Sequence, residues 1–421
     1  MIINHHTEKN PNNTWGAFKK MKKKIIGLIV ATNEINTIIN NNLETINSFS
    51  REFDSFYLFN FLNLKIFKKK INRIKLKHQL PKNFIIKTFK NKKEILQFFF
   101  DKKLIGILHL GKSLEYFYIY YILKKIKSKT ILVLNLGNYG NKTFIDFSFQ
   151  YFFKRIFHYY DRGFYYIFRL LTIVNLFPKI DILFQSDLNL IKNIENGLSK
   201  KFDRFNKFFK ISYFKKIINV NSKSFDYLIK NKVRNKKNTY ILFIDTPIDH
   251  FDRTIREGTV SENDKIEYYH RLSLFLKSLS KLLKKKIIIC PHPKMKNPKK
   301  FFKTFVISKK RTIEMLPGAK LVLFTLSSAV LTSVLLKKKV FCIQSELLGD
   351  YLLKLSNKYV NSLNLTKINI DQKFSLKKNG IYTNSKKTIK SYNLFIKKKL
   401  NVDGLISSDK RIIQTIKENF F

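Results

Sequence analysis

Short apolar runs rich in β-branched residues alternate along this chain with longer segments whose apolar residues recur at helical spacing. This alternation constrains the fold most, because it is typical of parallel sheets with helices on their faces. The predicted strands are Ile25–Ala31, Ser55–Phe61, Leu104–Leu110, Lys129–Leu136, Thr239–Ile244, Lys286–Cys290, Leu321–Thr325 and Val340–Ile343. The predicted helices are Ile35–Ser48, Leu114–Lys127, Glu267–Leu283 and Ser328–Leu336. This alternation of strands and helices occurs once in each half of the chain, so we predict two α/β units.

Two domains are also expected because 421 residues exceed the length at which a single hydrophobic core usually stops growing. The stretch 191–216 is rich in Asn and Lys and weakly periodic, which favours a boundary there. The predicted divisions are a disordered leader over 1–20, a first domain over 21–200, a second domain over 201–400 and a C-terminal helix over 401–421.

Two expectations concern the end of the chain. Residues Thr366–Lys399 are polar and low in complexity, which predicts surface loops. In the last segment Ser407 begins a plausible helix cap, and the apolar residues that follow share one face: Ile412, Ile413 and Ile416. That face needs a core to cover it, so we expect this helix to cross back over the two domains.

The charge balance is strongly basic, with 82 Lys and Arg against 29 Asp and Glu and a formal net charge of +53. Such a surface attracts phosphate-bearing ligands and anionic lipid headgroups, which predicts a peripheral position on the inner face of a membrane. A dedicated nucleic-acid binder would concentrate its charge on one stripe with exposed aromatic residues. Here Lys is spread over the whole length, and most aromatic residues lie in apolar runs, so no specific nucleic-acid partner is expected.

The only cysteines, Cys290 and Cys342, form no C-x-x-C pair, which predicts neither a disulfide framework nor a zinc site. No apolar run approaches the roughly 20 residues needed to cross a bilayer. A reducing, cytoplasmic location is therefore expected.

The most specific short motif is Cys290-Pro291-His292-Pro293, which ends a predicted strand. Two prolines fix φ on either side of His292 and remove two backbone N–H donors, so the hydrogen bonding between strands ends there. The restricted backbone also holds the imidazole in place. A rigid imidazole suits contact with a phosphate or a leaving group. The alternative is a strand-ending turn in which the histidine is incidental.

A second motif follows the predicted strand that ends at Thr325, where Ser327 and Ser328 precede an apolar helix. Hydroxyl donors and free backbone N–H groups at a helix start favour an anion. We predict phosphate binding there, with simple helix capping as the alternative.

Two further strand ends carry candidate residues. Asn135 and Gly137 lie where a strand breaks into a glycine-bearing loop, which an ordinary tight turn would also explain. Asp245 ends another strand, with Asp249 close behind, although a solvated turn would give the same pattern. Ligands in open parallel sheets sit beyond the carboxyl ends of strands, so all these junctions are candidate site positions.

The pairing of His292-Pro293 with Ser327-Ser328 at successive strand ends resembles the bacterial sialyltransferases and polysialyltransferases. The resemblance spans roughly 21–343. It implies the GT-B fold, two Rossmann-like domains facing a central cleft. It also implies transfer of an acidic sugar from a CMP-linked donor to a surface glycan or glycolipid in capsule or lipooligosaccharide synthesis. His292 would lie near the donor phosphate, and the two serines would hold it.

The chain departs from that family at Asn135-Leu136-Gly137, where the family carries two acidic residues and a glycine. In the family a carboxylate of that pair is the general base, a role that neither Asn nor Leu can fill. The remaining candidates for the base are Asp146, Asp245 and Asp249. A transferase of another acidic sugar, such as Kdo, is equally compatible with the motifs.

No Asp-x-Asp occurs in the chain, so we expect metal-independent transfer without a cofactor. A competing interpretation rests on Gly106–Ser113, which matches the G-x-x-x-x-G-K-[ST] phosphate-loop pattern. Its intervening positions are Ile, Leu, His and Leu, which favour a continuing strand. We expect Lys112 to line the cleft and to assist a negatively charged donor or acceptor.

Overall fold

The structure is a computed structural model, and not every residue of the chain is described. The described residues are 23–31, 35–61, 64, 79–109, 114–134, 171–172, 174–186, 214–231, 239–250, 253–254, 257–292, 295, 297–372, 383–401 and 403–421.

The first half of the chain forms a sheet of seven parallel strands. The strands are β1 (Lys23–Val30), β2 (Phe56–Asn60), β3 (Phe84–Thr88), β4 (Lys102–Leu108), β5 (Lys129–Leu134), β6 (Ile180–Gln185) and β7 (Phe214–Asn219). Their order across the sheet is β3-β2-β1-β4-β5-β6-β7. This doubly wound order reverses direction between β1 and β4.

The second half forms a sheet of six parallel strands. The strands are β8 (Tyr240–Ile244), β9 (Lys286–Cys290), β10 (Val306–Ile307), β11 (Ala319–Phe324), β12 (Lys339–Gln344) and β13 (Thr366–Asn369). Their order is β10-β9-β8-β11-β12-β13, the same winding as the first sheet. The strand order reverses between β8 and β11, and ligands bind at such a switch point in open α/β sheets.

Helices connect and cover the strands. They are α1 (Ile35–Glu52), α2 (Lys92–Phe98), α3 (Leu114–Lys125), α4 (Lys223–Lys230), α5 (Glu262–Leu283), α6 (Thr312–Met315), α7 (Val330–Leu335), α8 (Gly349–Leu363), α9 (Lys386–Phe395) and α10 (Ser408–Phe420). Among the described residues, no helix combines the length and apolar character that a membrane span requires.

The first sheet is covered on both faces. Side chains of α2 and α3 pack on one face, and α1 packs with α10 on the other. Ser407 caps α10 by accepting a hydrogen bond from the Lys410 backbone N–H. Buried Ile412, Ile413 and Ile416 then join the core of the first sheet. The predicted return of the C-terminal helix is therefore confirmed.

The second sheet has its own two cores. Helix α5 buries Tyr268 and Tyr269 against one face, and α7 and α9 cover the other; α8 contributes to both cores, with Leu352 on the α5 side and Leu363 on the other. The strands alternate between these cores, so that Ile241 and Phe243 of β8 face α5 while Leu242 and Ile244 face away from it. This alternation sets the face on which each residue beyond the strand ends lies.

The predicted α/β fold with two parallel sheets is confirmed, and all eight predicted strands are present to within a few residues at their ends. Five strands were not predicted: β3, β6, β7, β10 and β13. The prediction that 366–399 forms surface loops is wrong in part, since it contains β13 and α9. Strand β7 pairs with the first sheet although it lies beyond residue 200. We therefore propose that the domain boundary falls between β7 and β8.

Candidate functional site

Three neighbouring strands of the second sheet end at the same level. Cys290 at the end of β9 and Phe324 at the end of β11 both lie in register with Ile244 at the end of β8. The residues that follow these ends therefore meet along one edge, within about two strand spacings of roughly 4.8 Å each. The edge includes the switch point between β8 and β11. The structure thus brings the segments of Asp245, His292 and Ser327 to one place.

The histidine of the proline motif stands in a turn beyond β9. The Met295 N–H donates to the His292 carbonyl at 2.9 Å, and the His292 side chain is half-buried. The His250 ring lies edge-on to it, with centroids 5.5 Å apart and planes at 81°. Sequence reasoning missed His250, although its place in the loop after β8 was a usable signal. Pro293 lies outside the described residues.

The serine pair lies in the turn before α7, ahead of its first residue Val330. The Ser327 hydroxyl accepts a hydrogen bond from the Ala329 N–H at 3.2 Å, and the Ser328 residue is exposed. Helix α7 has only six residues, which gives it a weaker dipole than a long helix has. The N–H groups of Ala329, Val330 and Leu331 are hydrogen-bonded within the turn, so the exposed Ser328 is the residue best placed to contact an anion.

Thr325 and Asp245 lie beneath this turn, on the face covered by α5. The Thr325 hydroxyl is buried 3.3 Å from the Tyr268 hydroxyl, so it is already engaged inside the protein. The Thr246 hydroxyl donates to the Leu326 carbonyl, which ties the end of β8 to the end of β11. A substrate contact by Thr325, expected from its place at a strand end, stays a prediction; in this conformation the Thr325 hydroxyl is buried.

Asp245 is the most unusual polar group at this edge. It is 1% exposed, and within the described part of the chain neither carboxylate oxygen has a hydrogen bond of ordinary geometry. Burial raises the pKa of Asp245 to about 7; the Thr246 backbone N–H opposes the shift and the Asp249 charge adds to it. In this conformation an acceptor hydroxyl cannot reach Asp245, so its role as general base stays a prediction. Asp249, by contrast, is exposed and ion-paired with Lys265.

A polar network beside the site joins two loops at the same edge. Arg253 donates to the carbonyls of Ile248 and Leu347 at 3.0 and 2.9 Å, which links the loop after β8 to the loop after β12. Glu257 pairs with Arg253 at 3.2 Å and accepts a hydrogen bond from the Tyr351 N–H. The sequence gives no signal for this network, because its members are spread over about a hundred positions.

A second network lies beyond β12 and β13. The Asp371 carboxylate accepts hydrogen bonds from the Ser345 hydroxyl and the Glu346 N–H, both at 2.7 Å. Arg271 of α5 reaches the same carboxylate at 3.1 Å. These contacts hold the loop that follows β12 against the end of the sheet. Among the described residues, no three His, Cys, Asp or Glu side chains are grouped to hold a metal ion.

The remaining predicted site residues cannot be placed. Asn135, Gly137, Asp146 and Lys112 all lie outside the described residues. Their positions relative to the second sheet therefore rest on sequence reasoning alone.

The structure contradicts the phosphate-loop interpretation at 106–109, while 110–113 lie outside the described residues. Residues Gly106 and Leu108 lie inside β4, in register with Gly27 and Ile29 of β1, and the His109 N–H donates to the Ile29 carbonyl at 2.9 Å. Backbone groups paired in a central strand cannot curl round a phosphate. A Cβ added at Gly106 would lie 2.9 Å from an Ile29 side-chain carbon, so close packing explains this glycine.

No protein-family model matches the chain, and no curated protein matches it. Solved structures do match it. Two variants of the wall teichoic acid polymerase TagF superpose with TM-scores of 0.51 and 0.50 at 12% and 13% identity. The matches cover 95% of this chain and 89% and 90% of the TagF chains. Acinetobacter baumannii MurG gives a TM-score of 0.44 at 7% identity, covering 94% of this chain and 99% of MurG. Identity this low shows a shared fold alone, and that fold is a GT-B-like pair of Rossmann-like domains.

Proposed function

We propose that the protein is a glycosyltransferase that moves an acidic sugar from a CMP-linked donor to a surface glycan or glycolipid. The observation that supports the proposal is that the strands before His292 and before the Ser327–Ser328 pair end in register on either side of β8. The GT-B-like fold supports the broader assignment to nucleotide-sugar transferases. The choice of CMP and of an acidic sugar rests on the resemblance of the two motifs to bacterial sialyltransferases.

The arrangement suits a single phosphate. An imidazole held in a turn on one side of β8 and serine hydroxyls on the other can together stabilise charge on a leaving phosphate. In the proposed step the acceptor oxygen attacks the anomeric carbon, and the bond from that carbon to the phosphate oxygen breaks. CMP leaves with the electron pair, and the hydroxyl proton passes to a base. Lysines abundant on the surface would favour the approach of an anionic donor.

A second candidate function follows from the structural similarity to TagF, a wall teichoic acid polymerase. Under it, the same edge would hold another activated nucleotide and the product would be a wall or capsule polymer. The two candidates share the nucleotide site and differ in the group transferred.

The test is incubation of the full chain with a panel of CMP-, CDP- and UDP-activated donors, followed by measurement of nucleotide release. The proposal expects CMP release from CMP-sialic acid or CMP-Kdo that increases when a glycan acceptor is added. Release from CDP-linked donors alone would favour the second candidate. Donor binding can be located separately by hydrogen exchange, which should show protection at 245–250, 290–292 and 325–329. Protection confined to the first sheet would contradict the placement of the donor.

A further inference from the structure

A lysine-lined pocket lies at the amino edge of the first sheet. Its volume is about 310 Å³, and it sits where β5, β6 and β7 begin. Five lysines and one carboxylate, that of Asp181, line it, and the lysines are Lys124, Lys127, Lys129, Lys179 and Lys215. Since strands β5 to β7 are parallel, this amino edge lies a full strand length from the carboxyl edge of the same sheet.

The lysines come from four separate elements, so the charge of one helix end does not explain them. Lys124 belongs to the last turn of α3, where basic residues complement the helix dipole, and Lys127 belongs to the turn that follows this helix. Lys129, Lys179 and Lys215 belong to the starts of three strands. Their convergence is a tertiary feature.

Asp181 contacts two of the pocket lysines but does not neutralise the positive charge of the pocket. Its carboxylate is nearly buried, accepts a hydrogen bond from the Thr130 N–H at 2.9 Å, and pairs with Lys215 at 2.7 Å and Lys129 at 3.8 Å. No other carboxylate is among the residues that line the pocket, so three of the five lysines lack an acidic partner there. The pocket therefore has a net positive charge and attracts an anion.

An ordered turn beside the pocket presents two apolar side chains to solvent. Val174 is 59% exposed and Leu176 is 49% exposed. Between them Asn175 has a φ of 61°, and its side chain accepts a hydrogen bond from Lys124 of the pocket. Phe177 is buried against Phe117 and anchors the turn, with ring centroids 5.2 Å apart. The turn is thus fixed with its apolar residues facing outward.

We propose that this surface, the lysine pocket with the Val174–Leu176 turn, docks on a membrane by binding the phosphate of an anionic lipid headgroup. Lysines that attract headgroup phosphates and apolar side chains that enter the acyl boundary are the two parts of an interfacial membrane contact. A free phosphate would need only the lysines, and the exposed apolar pair favours the lipid. The proposal is independent of the sugar that the candidate site transfers.

The test must separate this pocket from the general basic surface, because a chain of net charge +53 will adsorb weakly to any anionic vesicle. We compare two matched double variants of the full chain by co-sedimentation with phosphatidylglycerol–phosphatidylcholine vesicles. Lys127→Glu with Lys179→Glu alters exposed residues of the pocket, and Lys277→Glu with Lys281→Glu alters exposed residues of α5. The net charge change is the same in both.

The pocket variant should bind anionic vesicles at least about 30-fold more weakly, since each lysine near the surface contributes about 1 kcal/mol. The α5 variant should lose less than about threefold, because its lysines lie on a helix of the second sheet and do not line the pocket. Equal losses of vesicle binding in the two variants would overturn the proposal that the pocket is the docking site. Far-UV circular dichroism and thermal melts check folding, and Lys127→Gln with Lys179→Gln replaces the pocket variant if it fails to fold.

A third variant separates a lipid from a soluble phosphate. Val174→Ser with Leu176→Ser should weaken vesicle binding about fivefold or more while leaving the charge unchanged. Leu176→Trp should show a blue-shifted emission with anionic vesicles and none with millimolar glycerophosphate. Unchanged vesicle binding by the serine variant, or displacement of the protein from vesicles by glycerophosphate, would overturn the membrane assignment.

Discussion

Asp245 shows how a single residue at the switch point can differ in character from what its position in the sequence suggests. Its place after a strand predicts a solvated turn or a catalytic carboxylate, yet the side chain lies under α5 beside Tyr268 and Tyr269. The Tyr269 hydroxyl is also buried, and within the described part of the chain it has no side-chain hydrogen-bond partner. Two such groups together are costly to bury.

The raised pKa of Asp245 predicts a pH-dependent stability effect. Its folded pKa of about 7 exceeds the ordinary value of about 3.9, so ionisation destabilises the fold at pH 8 and protonation relieves this as the pH falls. Asp245→Asn removes the ionisation. We expect it to stabilise the fold at pH 8 by on the order of 2–4 kcal/mol, with a gain that shrinks between pH 8 and pH 5.

Thermal or denaturant unfolding across that pH range measures the effect. Asp54→Asn, in an exposed turn after α1, is the matched control and should show no such trend. A constant difference between Asp245→Asn and the unaltered protein at every pH would contradict the ionisation argument.

His292 is the residue on which the proposed chemistry depends most. His292→Ala should lower turnover by roughly 100-fold while changing donor affinity less than about threefold, because the imidazole acts on charge that develops as CMP leaves. Single-turnover kinetics and equilibrium donor binding separate the two quantities. His270→Ala, an exposed histidine on α5, should leave both unchanged. Equal losses of turnover and affinity in His292→Ala would indicate a purely structural histidine.

At the scale of elements, the loops beyond β8 and β12 are held together through Gly349, the first residue of α8. Its φ is +73°, and an added Cβ would lie 2.2 Å from a Glu257 carboxylate oxygen and 2.7 Å from Arg253 Nε. The glycine is therefore required both by its backbone conformation and by the closeness of the Arg253–Glu257 pair. The conformation of the loops at the candidate site depends on the close approach of the Gly349 backbone to the Arg253–Glu257 pair.

A pair of glycine substitutions separates these two requirements. Gly404 has a similar φ of +66° and nothing within 4 Å of an added Cβ. Gly404→Ala should cost about 1 kcal/mol from strain alone, whereas Gly349→Ala should cost more, by about a further 1–3 kcal/mol, because it crowds a charged pair. Chemical denaturation of both variants measures the difference. Equal destabilisation would mean that Glu257 moves aside freely.

At the scale of the whole molecule, the two ends of the described chain are packed together. Helix α10 contributes Ile412, Ile413 and Ile416 to the core that contains Ile26 and Phe49. Helix α4, whose Leu228 packs against a core of the second sheet, is tied to α10 because Asp226 accepts hydrogen bonds from the Ser408 N–H at 3.0 Å. The first domain is therefore complete only when the end of the chain returns to it.

Ile416→Ala tests this dependence. Ile416 is fully buried, so we expect the free energy of unfolding to fall by about 2–5 kcal/mol. Gln414→Ala, on the exposed side of the same helix, should change it by less than about 0.5 kcal/mol. Hydrogen exchange should show weaker protection of the backbone amides in β1 and α1 as well as in α10. Weakened protection confined to α10 would contradict a shared core.

The sequence by itself determined the alternation of strands and helices, because the spacing of apolar residues records which faces are buried. It also placed His292 and Ser327 at strand ends, since proline and serine act on the backbone locally. Three of the missed strands, β7, β10 and β13, are short or largely exposed and gain their stability from a neighbouring strand, whereas β6 is buried along its whole length. Only the tertiary structure decided that β8 lies between β9 and β11, that Asp245 is buried and that His250 faces His292. Those facts depend on which strand each crossover connection places next to which. Packing between residues far apart in the sequence determines that order, and a local sequence pattern does not record it.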